Sequence, residues 1–147
     1  MIAKVLVAFD GTKCADKALD FGLDLAERYS ASVLILNVLE LPVYGSPDDS
    51  LSMSAGMAGF VKDLRKSHQD LLSKAAEKAW NLKPNMSVTV ELREGNPPAQ
   101  IVETATQGNF DVIVLGHGSE SRFRELFLGG TSERVAHMAR CAVLIVK

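Results

Sequence analysis

The sequence has no surplus of either charge: 16 lysines and arginines stand against 18 aspartates and glutamates, a net of −2. Such a balance gives no electrostatic basis for nucleic acid or an acidic membrane surface as partner. Long hydrophobic runs are missing too. None approaches the ~20 residues that span a bilayer, and the apolar run in MIAKVLVAFDG is shorter than the roughly 7–15 residues of a secretory signal core. Cysteine is scarce. Cys14 and Cys141 lie far apart without Cys-x-x-Cys spacing, which argues against a disulfide framework and reads as two reduced thiols in a reducing compartment. The expected location is therefore cytoplasmic. There is no linker, low-complexity tract or internal repeat. The 147 residues, 47% apolar and 23% charged, suit one globular domain over 1–147 that needs no metal or disulfide staple.

What is present is alternation of short apolar runs with longer amphipathic ones. Val5–Phe9, Ser32–Val38, Asp111–Leu115 and Ala142–Val146 read as strands buried on both faces, and the alternating Ser87–Leu92 reads as a half-exposed edge strand. Between them lie helical patterns over 15–29, about 51–82, 97 onward and about 131–140. The second helix carries the stripe Met57, Phe60, Val61, Leu64, His68, Leu71, Leu72, Ala75 and Ala79 and stops before Pro84; Asn96 and Pro97 are an N-cap and first residue for the third. The order βαβαβαβαβ implies an α/β fold, a five-stranded parallel sheet sandwiched between helical layers. Ligands of such sheets bind at the carboxyl ends of strands, so the loops after strands one, two and four are the places to look.

The loop after strand four carries the signal. Gly116, Gly118, Gly129 and Gly130 crowd into it, several times what an even spread of 11 glycines would give. Glycine lets backbone N–H groups approach a ligand and takes positive φ. The second pair opens a helix, followed by Thr131 and Ser132, and free N–H groups at a helix start favour an anion. A plain turn is the competing reading.

The chain resembles the universal stress protein (UspA-like) family over essentially its whole length. The resemblance is carried by VLVAFDGT, by EGNPPAQIVETA and by LGHGSESRFRELFLGGTSERVAHMARCAVLIVK. It implies a three-layer αβα sandwich of the adenine nucleotide α-hydrolase-like kind. Nucleotide-binding members share Gly-x-x-Gly, nine residues, then Gly-Ser or Gly-Thr. Here the positions are Gly116, Ser119, Gly129 and Gly130 with the spacing intact, but serine replaces the second glycine and glycine the hydroxyl residue. A lost hydroxyl contact to phosphate weakens binding by roughly 0.5–3 kcal/mol, for which Thr131 or Ser132 can compensate. Serine at 119 costs on the order of 1 kcal/mol if that position needs positive φ, unless Gly118 takes up the turn. The resemblance further implies Asp10 on the ribose hydroxyls, Ala8 on the same loop edge, the Val38 backbone on the adenine edge and Leu115 in the base pocket. Read without it, Asp10 is a helix cap, and Val38 and Leu115 are core.

The implied function is a small regulatory protein of the stress response that binds ATP or AMP, with Mg2+ held mainly by phosphate oxygens. Two alternatives are a cyclic-nucleotide binder and a dimer that binds no nucleotide and acts through protein contacts. Catalysis beyond slow incidental ATP hydrolysis is not expected: there is no Gly-x-Ser-x-Gly elbow and no Walker lysine. A receiver domain is excluded because Arg93-Glu94-Gly95, rather than a phosphoacceptor, follows strand three. His68, His117 and His137 show no ligand spacing, so no zinc is expected. Arg122 and Arg124 read as a phosphate clamp or, more commonly, as solvated charges; Met53 and Met57 as a flap or, more commonly, as soft packing. The family pairs through its last strand. An unpaired apolar edge at Ala142–Val146 makes a homodimer physically sensible, beside a protein partner of unknown identity.

Overall fold

A computed structural model of the chain describes residues 1–41, 55–118 and 130–147. The elements are β1 (Lys4–Ala8), α1 (Lys13–Tyr29), β2 (Ser32–Leu39), α2 (Ala55–Leu82), β3 (Val88–Glu94), α3 (Pro97–Gln107), β4 (Val112–Gly116), α4 (Thr131–Met138) and β5 (Ala142–Val146). The five strands form one sheet in the order β3-β2-β1-β4-β5, every pairing parallel. Apolar runs without alternation produce this arrangement because each central strand is covered on both faces. Val5, Val7, Val33, Ile35 and Val114 pack under Leu19 and Leu23 of α1 and Leu72, Ala75 and Ala79 of α2. Leu6, Leu34, Leu36, Ile113 and Leu115 pack against Ile101 and Ala105 of α3 and Val135 of α4. Among the described residues no helix is long and apolar enough to cross a membrane.

Helix ends follow their local chemistry. Thr12 caps α1 by accepting from the Ala15 amide, and Ser30 closes it in the left-handed conformation. Asn96 caps α3 with Pro97 at its first position, as its sequence implies. The α2 stripe is shorter than the sequence suggests. Leu72, Ala75, Ala76 and Ala79 are buried, whereas Phe60 is 52% exposed. Lysines in and just after α2 clip it to the acidic face of α1: Lys78 reaches Asp16 and Asp20, and Lys83, the residue after the helix, reaches Asp24 and Glu27.

Strand four begins one residue later than its sequence pattern because Asp111 has another task. Its Oδ2 accepts from the Ala3 and Lys4 amides at 2.8 and 2.9 Å. Those two bonds hold its carboxyl below the usual carboxylate range. A depressed carboxylate stabilises the fold above its unfolded pKa, and that contribution is lost as pH falls through the folded value. Asp111→Asn should therefore be less stable than the parent at neutral pH. In urea titrations at successively lower pH the gap should close below about pH 4; a gap independent of pH would mean that the carboxylate charge contributes nothing.

Candidate functional site

Strand order places the functional end of the sheet. From β1 the chain moves outward through β2 and β3, then returns to the other side of β1 for β4 and β5. The reversal lies between β1 and β4, and crevices for ligands open beyond the carboxyl ends of such strands. The residues there are Ala8, Phe9 and Asp10 after β1 and Gly116, His117 and Gly118 after β4.

Asp10 is exposed and its Oδ1 accepts from both the Thr12 amide (3.0 Å) and the Thr12 hydroxyl (2.7 Å). The capping reading of Asp10 is therefore corrected: Thr12 caps α1, and Asp10 orients Thr12. Among the described residues Oδ2 has no partner. Ala8, the last residue of β1, is half-buried and faces Leu36 in register. Val38 lies inside β2, opposite Arg93 of β3. Leu36 accepts from Phe9 on the β1 side and Leu39 from Gly95 on the β3 side. Alternation therefore turns the Val38 backbone toward β1, beyond the last paired residue Ala8. Leu115 is different. Its side chain is 3% exposed within the α3/α4 core, so it supplies core packing and no open pocket wall, because it falls on the same sheet face as Leu6 and Leu36.

Gly116 ends β4 for a packing reason. A methyl group added there would stand 2.8 Å from the Cys14 carbonyl carbon and Cβ and 2.9 Å from its carbonyl oxygen. The first turn of α1 thus lies directly against the end of β4. His117 is exposed, and its amide donates to Val146. Gly118 has φ +122°, a conformation that favours glycine, and among the described residues nothing stands near a methyl group added there. Ser119 and Gly129, with Arg122, Arg124 and Met53, lie outside the described residues; Met57 is half-buried in α2. Gly130 caps α4 without a side-chain bond, and among the described residues nothing stands near a methyl group added there. Thr131 begins the helix, half-buried. Ser132 is 6% exposed and donates its hydroxyl to the His117 carbonyl at 3.1 Å. Its proton thereby ties α4 to the end of β4, a bond that any donation from Ser132 to a phosphate would have to replace.

Three residues of this region carry no motif. Thr12 is one. Asn37, 2% exposed in β2, donates from Nδ2 to the Phe9 carbonyl at 2.7 Å, and its Oδ1 lies 2.6 Å from Nδ1 of His68 in α2. The available signal for Asn37 was a lone amide in an otherwise apolar run; for His68, which the sequence places on the apolar stripe, there was none. A groove of about 690 Å3 opens between α1 and α2, with Phe9 and Gly11 of the loop after β1 in its lining. Its walls carry Asp16, Asp63 and Asp70 as well as Lys66, Lys74 and Lys78, so it offers no net preference for an anion. Among the described residues no group of three potential metal ligands occurs.

A sequence model of the universal stress protein family matches residues 1–147. The chain is 32% identical to a universal stress protein of Methanothermobacter thermautotrophicus over 150 residues, covering 100% of this chain and 97% of the relative. It is 29% identical to one from Methanocaldococcus jannaschii, covering 98% and 81%. In fold it is similar to a universal stress protein solved in complex with cAMP (TM-score 0.76, 23% identity, 99% and 97% covered). It is also similar to one from Archaeoglobus fulgidus in complex with dAMP (TM-score 0.65, 21% identity, 100% and 98% covered). The parallel sheet in the order β3-β2-β1-β4-β5, the Asp10 turn and the whole-length match agree: the chain belongs to the universal stress protein family.

Proposed function

We propose that this protein is a small regulatory protein of the stress response that binds an adenine nucleotide, ATP or AMP, at the switch point between β1 and β4. The observation that carries the reading is the convergence there of an exposed carboxylate held by Thr12, a glycine at φ +122° and the uncapped start of α4. Asp10 suits the two ribose hydroxyls as an acceptor. The backbone at Gly116–Gly118 and the amides of Gly130, Thr131 and Ser132 suit phosphate oxygens. The inward-turned Val38 backbone suits the polar edge of adenine. Relatives in complex with cAMP and dAMP support the same class of ligand. Asp10 is the only carboxylate among these groups, so a Mg2+ ion would arrive with the nucleotide and be held by phosphate and water. Among the described residues of the site Asp10 is the one carboxylate and is assigned to the ribose, and the expected turnover is at most slow ATP hydrolysis. Pairing of two copies through the exposed edge of β5, where Val143–Val146 are half-buried, would remove an open apolar edge, and the cytoplasm is the expected compartment.

Nucleotide release tests the reading. The protein is purified without added ligand and denatured, and the supernatant is analysed by chromatography and mass spectrometry. An adenine nucleotide near one per chain supports it and gives the phosphate count. Empty protein that also ignores millimolar ATP, AMP and cAMP overturns it in favour of a dimer acting through protein contacts. A cyclic nucleotide is the second reading, favoured by two facts: Gly130 has no hydroxyl, and Ser132 has already spent its own on His117. That leaves fewer donors for a triphosphate than for one phosphate. Gly130→Ser bears on the same point. It restores a capping oxygen in open space and should stabilise α4 by a few tenths of a kcal/mol. It should also tighten ATP by about tenfold through one added bond to phosphate, read by calorimetric titration; unchanged affinity would place position 130 away from the phosphates.

A further inference from the structure

We propose that Asn37 and His68 are positioning residues that fix the Asp10 carboxylate for the ribose, an inference that rests on the nucleotide reading above for its ligand but on the free protein for its geometry. Asn37 stands on the sheet face shared with Val33 and Ile35, where a leucine would fill the same space. A buried amide is destabilising unless both its ends are bonded, and here both are. The Phe9 carbonyl can only accept, so the Asn37 amide group points to it and Oδ1 faces His68. The His68 Nδ1 must then carry the proton that it donates to Oδ1.

The place where the relay ends gives it a purpose. Pairing of β1 with β2 stops at Ala8 opposite Leu36, and the last ladder bond runs from Phe9 N to Leu36 O at 2.8 Å. In a continued parallel ladder Phe9 O would accept from the next inward amide of β2, that of Val38. It accepts from the Asn37 side chain instead. Both polar groups of Phe9 are thereby held, one by backbone and one by Asn37, and the peptide that leads into Asp10 has a fixed plane. The Val38 amide is released on the side where an adenine edge would lie. His68 locks Asn37 from α2, so the placement of that helix sets the direction of Asp10.

The full chain, labelled with nitrogen-15, provides two readouts. The first is amide exchange at Thr12, whose N–H bonds Asp10 Oδ1; it reports the carboxylate without any ligand. The second is the ratio of affinities for ATP and 2′,3′-dideoxy-ATP, which isolates the ribose contact. Asn37→Leu and His68→Leu should speed Thr12 exchange by about tenfold relative to the core amide of Ile113 and bring the affinity ratio toward one. His68→Gln, which can still donate to Asn37, should retain both. Thr12 exchange that stays at the parent rate in both leucine variants, or that rises only in step with Ile113, overturns the positioning role, since a merely structural pair would lower global stability alone. A parent protein that binds neither nucleotide sinks the nucleotide reading, and Thr12 exchange then decides the relay by itself.

Discussion

Gly116→Ala is expected to destabilise the fold by about 1–3 kcal/mol and to weaken nucleotide binding beyond what the stability loss explains. The added methyl would press on the carbonyl carbon, carbonyl oxygen and Cβ of Cys14 at 2.8–2.9 Å. These atoms cannot swing aside as the end of a long side chain would. They belong to the first turn of α1, and that helix is fixed further along by Gly22, whose own added methyl would stand 2.6 Å from a Val7 methyl. Relief therefore requires α1 and the end of β4 to separate, which pulls the Asp10 turn away from Gly118. Urea denaturation gives the first quantity and titration of the folded variant with ATP the second. Gly59→Ala is the matching control: it is exposed in α2 with nothing near the added methyl, and should gain roughly 0.5–1 kcal/mol from helix propensity. Gly116→Ala with unchanged stability and affinity would mean that β4 and α1 adjust freely, and the close approach would then carry no function.

That example shows where sequence reading reaches and where it stops. The strands, their parallel pairing and the edge position of β3 follow from apolar runs and alternation, because burial on one or both faces leaves a pattern in one dimension. Asn96 and Pro97 were legible for the same reason: capping is decided within four residues. Gly116 was legible as a glycine that matters; its close approach to Cys14 was not, since Cys14 is distant in sequence and adjacent only after the β1–β4 pairing forms. The bond from Ser132 to the His117 carbonyl was not legible either, because that partner is again a tertiary neighbour. Asp10 stands out in the sequence as a loop-edge carboxylate, yet its capping alternative could not be separated from Thr12 two residues later until Oδ1 was seen to accept twice from that residue. Asn37 and His68 share a hydrogen bond between a strand and a helix that no periodicity encodes.

The same separation of roles yields the second large effect. Asp10→Ala should lower ATP or AMP affinity by roughly ten- to a hundredfold, the range for losing a hydrogen bond to a charged group. It should leave unfolding free energy within about 1 kcal/mol of the parent, because the group is exposed and its own bonds form only a local turn. Thr12→Val should behave in the opposite proportion. It removes the oxygen that accepts from Ala15 N at 3.2 Å, and loss of such a cap costs about 0.5–2 kcal/mol. Its effect on affinity should be smaller than that of Asp10→Ala, since the carboxylate remains and still accepts from the residue-12 amide. Thermal unfolding and calorimetric titration of both variants place them on two axes. If Asp10→Ala instead lost stability as Thr12→Val does and kept its affinity, Asp10 would be part of the helix start and no ligand group, and the switch point would have no acceptor left for a ribose.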